Sequence, residues 1–202
     1  MKSQPEKVTK KVVFFVKKTI SQGQGCTNAP TVVQYPKGGD VMDVRLATMA
    51  EMEQILPVFE RARQYMRETG NPHQWKDTSP TRDQLEADIA NGNLYLMTDE
   101  DGVQGVFALI FGEDDSYGYI EGAWLNDEPY ATIHRVASAG KRRGILGGCL
   151  DYCAMRCGNL RIDTHEDNRV MQHLVEKFGF VRCGIIYLAS NGEPRIAYQR
   201  QR

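Results

Sequence analysis

Between Gly140 and Gly144 the chain carries three cations in a row, Lys141, Arg142 and Arg143. The residues before this turn, Ala131 to Ala137, include Thr132, Ile133 and Val136, which suit a pleated strand. After it the apolar period changes. Ile145, Leu146, Cys149, Leu150, Cys153 and Cys157 fall on one side of a helix. A strand, a glycine-bounded basic turn and a helix start together make an anion site. The first N–H groups of a helix have no partner within it, and the helix dipole is positive at that end. Neighbouring cations add long-range attraction for phosphate. The ligand class this chemistry suits is a polyphosphate; a solvated basic loop at a helix start fits the same spacing. The turn is not a P-loop, because no Gly-Lys-Ser or Gly-Lys-Thr stands four residues after a glycine. Nor is it the Gly-x-Gly-x-x-Gly dinucleotide turn.

Cys149, Cys153 and Cys157 recur every four residues on the apolar side of that helix. Zinc sites use shorter spacings and four ligands, so small buried thiols are expected and no metal is called for. The total of five cysteines is odd, which argues against a disulfide framework. His73, Trp75 and Lys76 lie in a loop that could line a substrate entrance, with Trp75 read as a packing residue beneath it.

Lys141-Arg142-Arg143-Gly144-Ile145-Leu146 resembles the coenzyme A turn of the GNAT superfamily of N-acetyltransferases. That turn reads Gln or Arg, two residues, Gly, one residue, Gly or Ala. Gly144 matches, Lys141 is a cationic substitute, and Leu146 departs, although Gly147 follows at once. A second stretch, Asn168 to Phe180, resembles the family's later helix, Asn-x-x-Ala-x-x-Leu-Tyr-x-Lys-x-Gly-Phe. Asn168, Leu174, Lys177, Gly179 and Phe180 fall in register. The resemblance runs from about Met42 to Arg202, with both motifs in order.

The resemblance implies an α/β acyltransferase fold, a mixed and mainly antiparallel sheet flanked by helices. It implies acetyl-CoA as co-substrate and transfer of acetyl to a primary amine by direct attack in a ternary complex. The backbone at Val136 and Ser138 would pair with the pantetheine arm. Pyrophosphate would rest on N–H groups from Lys141 through Arg142, Arg143, Gly144 and Ile145 to Leu146. Asn168 would contact the cofactor arm, and as a helix cap it has an equally good structural role. Two residues could take the amine's proton. Glu121 stands among Tyr119, Ile120, Ala123 and Trp124, where an apolar setting would raise its pKa; an outward-facing, salt-bridged carboxylate fits the same alternation. His134 is of a residue type whose free-state pKa already suits the task, and a hydrogen-bonded core histidine fits it too. Asp163 and His165 flank the same expected cleft and are weaker candidates for the same role. Glu121 is preferred, then His134. The family often places a Tyr after the Leu of the later helix, proposed to protonate the leaving thiolate. Here that position is Val175. Its loss keeps open a protein that binds acyl-CoA without turnover.

The elements that position these groups follow the apolar pattern. Asp43–Ala47 reads as a first strand, and Thr48-Met49-Ala50-Glu51 as a capping box opening a helix that Pro57 should kink or divide. A second helix opens at Ser79-Pro80-Thr81 and stops at Asn91-Gly92. Strands follow at Leu94–Thr98, Val103–Phe111, Tyr117–Leu125, Leu160–Thr164, Phe180–Leu188 and Arg195–Tyr198. His173 falls on the solvent side of the later helix. Residues 1–41 read as a weakly ordered extension with one short strand around Val12–Val16, and 42–202 as the acetyltransferase domain. A formal net charge of -1 argues against nucleic-acid binding through bulk charge. No apolar run reaches membrane-spanning length, and a cytoplasmic protein without a membrane partner is expected. The acceptor, a small amine or a protein amine, stays open; Glu113–Asp115 would favour a cationic one if it lies at the cleft mouth. Oligomeric state is not legible.

Overall fold

The computed structural model describes residues 33–37 and 40–202. The expected strand at Val12–Val16 lies outside them. Nine strands form one sheet: β1 (Val33–Lys37), β2 (Asp40–Leu46), β3 (Leu94–Asp99), β4 (Gly102–Phe111), β5 (Glu121–Gly122), β6 (Ala131–Ser138), β7 (Asn159–Thr164), β8 (Val181–Tyr187) and β9 (Pro194–Gln201). Four α-helices accompany them: α1 (Met52–Glu68), α2 (Arg82–Ala90), α3 (Ile145–Arg156) and α4 (Arg169–Lys177). The spatial order is β1-β2-β3-β4-β6-β7-β9-β8-β5, and among the described residues only β6 and β7 pair in parallel. The sheet begins ahead of Met42: β1 pairs with β2, and Met42 falls inside β2.

The central strands are buried on both faces, so each sends alternate side chains to two cores. On β3, Leu94 and Leu96 join Ile55, Phe59 and Leu85 of α1 and α2, while Tyr95 and Met97 join Cys149, Leu150 and Tyr152 of α3. Tyr95 stacks on Phe107 at 5.3 Å, and Tyr152 meets both rings. Cys149 and Cys153 are buried free thiols, as their spacing predicts. Cys157 corrects that expectation, because it is disulfide-bonded; an odd total rules out a fully paired set but not a bridge.

Two further expectations change. Pro57 lies inside α1 without dividing it. The residue four back, whose carbonyl loses its N–H partner, is the exposed Glu53, so water can replace the bond. The strand expected over Tyr117–Leu125 shrinks to the two residues of β5 at the far sheet edge. Two of its aromatic residues fold inward instead: Tyr117 packs on Trp124 and on Tyr130, with ring centroids 5.2 and 6.3 Å away, while Tyr119 stays exposed.

The capping box at Thr48 forms as read. Glu51 accepts from the Thr48 N–H (2.9 Å) and hydroxyl (2.8 Å), and Arg45 donates to both of its carboxylate oxygens. The Arg45 bond, helped by those from Thr48, holds the Glu51 carboxyl down to about 2 against the cost of burial. A depressed carboxylate stabilises the fold above its unfolded pKa of about 4.3 and stops doing so as pH falls through its folded value. Glu51→Gln should therefore cost about 1 kcal/mol at neutral pH. Thermal melts of both proteins should converge as pH falls from about 5 towards 2. A constant gap across that range would show that the ion pair is not the source.

Candidate active site

Strands β6 and β7 pair only over Ala131–Ile133 and Leu160–Ile162, then part. A bulge in β6 drives the separation. Val106 faces Ala137 while Ala108 faces His134, so β6 spends an extra residue there. Arg135 takes the left-handed conformation at φ 54, uncommon for a residue with a side chain. Its guanidinium is fixed by Asp88 of α2, with Nε–Oδ2 and Nη2–Oδ1 at 2.5 and 2.7 Å. Beyond Ile133, the edge of β6 therefore faces an open wedge.

Two cavities fill that wedge, of about 400 and 520 Å³. They share Met66, Val136, Asn168 and Met171, so they are two ends of one cleft. The helix α4 forms one wall. Its apolar side is only half covered: Met171, Leu174 and Phe178 are half-buried and line the larger cavity, with Met171 and Phe178 also packed against the core. Val175 alone of this helix is fully buried.

The smaller cavity holds the acid–base groups. His134 Nε2 lies 2.8 Å from Asp114 Oδ2, and Nδ1 lies 3.7 Å from Asp163 Oδ2. Burial disfavours the charged form of Asp114, but the His134 bond and the Ser116 N–H outweigh it and hold its carboxyl below the ordinary value. An ionised carboxylate can only accept, so Nε2 carries a proton, and in the neutral ring the lone pair is on Nδ1. Asp114 is itself held, its N–H donating to Tyr130 Oη at 3.0 Å. Tyr117 donates to Asp163 at 2.8 Å; burial first, then the Asp163 charge, push its hydroxyl well above the usual range. It is a fixed donor, not an acid.

Gln74 joins the loop after α1 to the cleft. Its Oε1 accepts from Asn168 Nδ2 (2.9 Å), Thr164 Oγ1 (3.2 Å) and Asn71 Nδ2 (3.0 Å). Asn168 also caps α4, accepting from the Met171 N–H at 3.1 Å, so its cap role and its place on the cleft hold together. Trp75 packs on Phe59 with centroids 5.7 Å apart while it lines the cavity.

The larger cavity ends at the basic turn. Gly144 caps α3 at φ 84, and the Gly148 N–H to Gly144 carbonyl bond, at 3.0 Å, is the first of the helix. The N–H groups of Ile145, Leu146 and Gly147 precede it and have no acceptor within the helix, so they can serve an anion. Gly105 lets this helix end sit close: a Cβ there would lie 2.5 Å from Ile145 Cγ2. The three cations divide in role. Arg142 is half-buried and donates to Asp99 (Nη1–Oδ2 2.5 Å), tying the turn to the β3–β4 hairpin. Arg143 is exposed and lines the cavity; Lys141 is exposed outside its lining.

Of the residues given a cofactor-binding role or preferred as the base from the sequence, all but Glu121 fall on or beside this cleft. His134 lines the smaller cavity, and Val136, Ser138, Arg142, Arg143, Gly144, Ile145, Leu146 and Asn168 line the larger. Lys141 neighbours them. Glu121 stands apart: it is exposed on β5 at the sheet edge and accepts from Tyr187 Oη at 2.7 Å. Asp114, Tyr117, Gln74 and Arg195 join the site without having been named as site residues.

A splayed sheet, a bulged strand and a phosphate-type helix start define an α/β acyltransferase architecture. Scans against protein-family models and against curated proteins find no match. Solved structures do. An acetyltransferase of the GNAT family from Streptococcus agalactiae aligns with a TM-score of 0.74 and 32% identity, over 85% of this chain and 99% of that one. A GNAT acetyltransferase from Listeria monocytogenes aligns with a TM-score of 0.64 and 21% identity, over 84% and 100%. RimJ from Mycobacterium smegmatis, solved in complex with CoA-disulfide, shares the fold at a TM-score of 0.50 and 13% identity, over 84% and 86%. The chain belongs to the GNAT family of acetyltransferases. Among the described residues, no helix is long and apolar enough to cross a membrane.

Proposed function

We propose that the protein transfers acetyl from acetyl-CoA to a primary amine inside this cleft, with His134 as the proton acceptor. One observation carries the reading: the cavity with the phosphate-type end and the cavity with the acid–base groups meet at Val136, Asn168 and Met171. A thioester entering from one side and an amine from the other would react there. The free edge of β6 at Val136 and Ser138 would hold the pantetheine arm. The N–H groups of Ile145, Leu146 and Gly147, with Arg143, would hold the pyrophosphate. The amine nitrogen attacks the carbonyl carbon, the C–N bond forms, the C–S bond breaks, and the amine proton passes to His134 Nδ1. No phenol stands at Val175 to protonate the thiolate. A thiol pKa of about 8.5 lets the sulfur leave without that help.

Incubation with acetyl-CoA and a panel of amines, following thiol release, tests this. Turnover with any amine supports it; tight CoA binding with no turnover would instead favour a protein that binds acyl-CoA without using it.

The turn makes a separate prediction. Lys141→Gln with Arg143→Gln should weaken CoA binding severalfold at low salt, and the gap should close as salt screens the charges. Arg142→Gln should also lower the melting temperature, because Asp99 loses its cation and keeps only the Asp101 N–H and Gln104 as donors. Calorimetry showing unchanged CoA affinity in the double variant would remove the phosphate from this turn.

A further inference from the structure

The smaller cavity is charged unevenly. At its β6–β7 end, the carboxylates of Asp114 and Asp163 flank His134. At the β8–β9 end, two cations share one carboxylate. Lys76 Nζ lies 2.6 Å from Glu193 Oε1, and Arg195 Nη2 lies 2.9 Å from Glu193 Oε2. That end carries an excess of one positive charge. Its centre is Arg195, whose side chain is 5% exposed and lines the cavity. Of the five N–H donors of a guanidinium, one serves Glu193 and another the Pro194 carbonyl. The others have no acceptor among the described residues.

The strand register puts the two ends on one face. Asp163 pairs with Ala197, and Arg195 stands two residues along β9 from it. Side chains two apart on a strand point the same way, with backbone positions about 6.6 Å apart. The charged ends are thus separated by about the length of a small molecule, inside a cavity of about 400 Å³. A polyamine or other polycation would bring its second charge against Arg195. An amine with a carboxylate would meet complementary charge at both ends.

We infer that the acceptor is a small amino carboxylate, its amino group at His134 and Asp163 and its carboxylate on Arg195. The inference rests on the acetyl-transfer reading and names the substrate class of that site. An Arg fork can bond a carboxylate bidentately. A site built to hydrogen-bond a group discriminates strongly against analogues lacking it.

Matched pairs test it on the full chain with saturating acetyl-CoA: phenylalanine against 2-phenylethylamine, lysine against 1,5-diaminopentane, β-alanine against ethylamine. At least one acid should exceed its decarboxylated partner in kcat/KM by about a hundredfold. Arg195→Met should collapse that preference, mainly through KM. Should Arg195→Met fail to fold, the exposed Lys76→Met should still reduce the preference, by loosening the grip on Glu193 that frees part of the positive charge. Decarboxylated amines turned over as well as every acid would overturn the inference and leave acetyl transfer standing. If no amine is turned over, the transfer reading fails, and calorimetry on the CoA-loaded protein decides the site alone. Binding of an acid that is lost in Arg195→Met supports the site; no binding overturns it.

Discussion

His134→Gln should lower kcat by about 10²–10⁴-fold, the usual contribution of a general base, with CoA affinity near wild type. The expectation follows from position. His134 lines the cavity where the two halves of the cleft join, and its Nε2 is committed to Asp114 at 2.8 Å. Only Nδ1 is left to take a proton. In the variant the deficit should shrink at high pH, because more amine arrives already neutral. Asp114→Asn should cost at least about 10²-fold with the fold intact, because an amide no longer requires the Nε2–H tautomer. Glu121→Gln is the counter-experiment. Glu121 is exposed and bonded to Tyr187 Oη on an edge strand, so its variant should keep turnover. A dead Glu121→Gln beside an active His134→Gln would return the base to Glu121.

The preference for Glu121 in the sequence came from an apolar, aromatic setting that reads as a strand. The setting is real, but the aromatics pack on one another and on β9 rather than alternating across a sheet. Tyr117, with Ile186 and Ala197, forms the small core there. Alternation over a segment that is not a strand places every side chain at random. By contrast, the anion site was legible because it is local. Gly144, the strand before it and the helix after it are contiguous, and the physics of a helix start needs nothing from elsewhere in the chain. Asn168 was legible for the same reason, as a cap. Gln74, Asp88 and Arg195 were not. Each acts through a partner far away in sequence: Gln74 on Asn168, Asp88 on Arg135, Arg195 on the cavity wall opposite Asp163. No periodicity marks such pairs. Glu113–Asp115 shows the middle case. The run drew notice as charge, yet one residue of it, Asp114, turns inward to His134 while Glu113 and Asp115 stay exposed. The register that makes the difference is set by the short turn Asp114 begins, where its Oδ1 accepts from the Ser116 N–H.

Asp88→Ala should destabilise the protein by about 2–3 kcal/mol, towards the low end for a broken buried pair because Arg135 keeps some contact with water. In a chain of this size that is a fall of about 5–10 °C in Tm. Asp88 is buried on α2, and among the described residues it is the carboxylate that holds the Arg135 guanidinium. Removing it strands a charge at the bulge that opens the wedge. The bulge carries a backbone cost as well, since a side chain at φ 54 is disfavoured by about 1 kcal/mol. The pair offsets that cost by clamping Arg135 from α2. Turnover should fall with stability in Asp88→Ala, because His134 is the residue next to the loosened bulge. Adding Arg135→Gly separates the two causes. The second change removes the stranded charge and gives the left-handed position a residue that accepts it freely. The double variant should regain most of the lost stability and, if the bulge keeps its shape, most of the turnover. The coupling between the two changes, read from a full cycle of melts, should be favourable by about 1–3 kcal/mol. If Asp88→Ala melts like wild type, or the two effects simply add, the ion pair does not hold the bulge, and the backbone of β6 keeps the cleft open unaided.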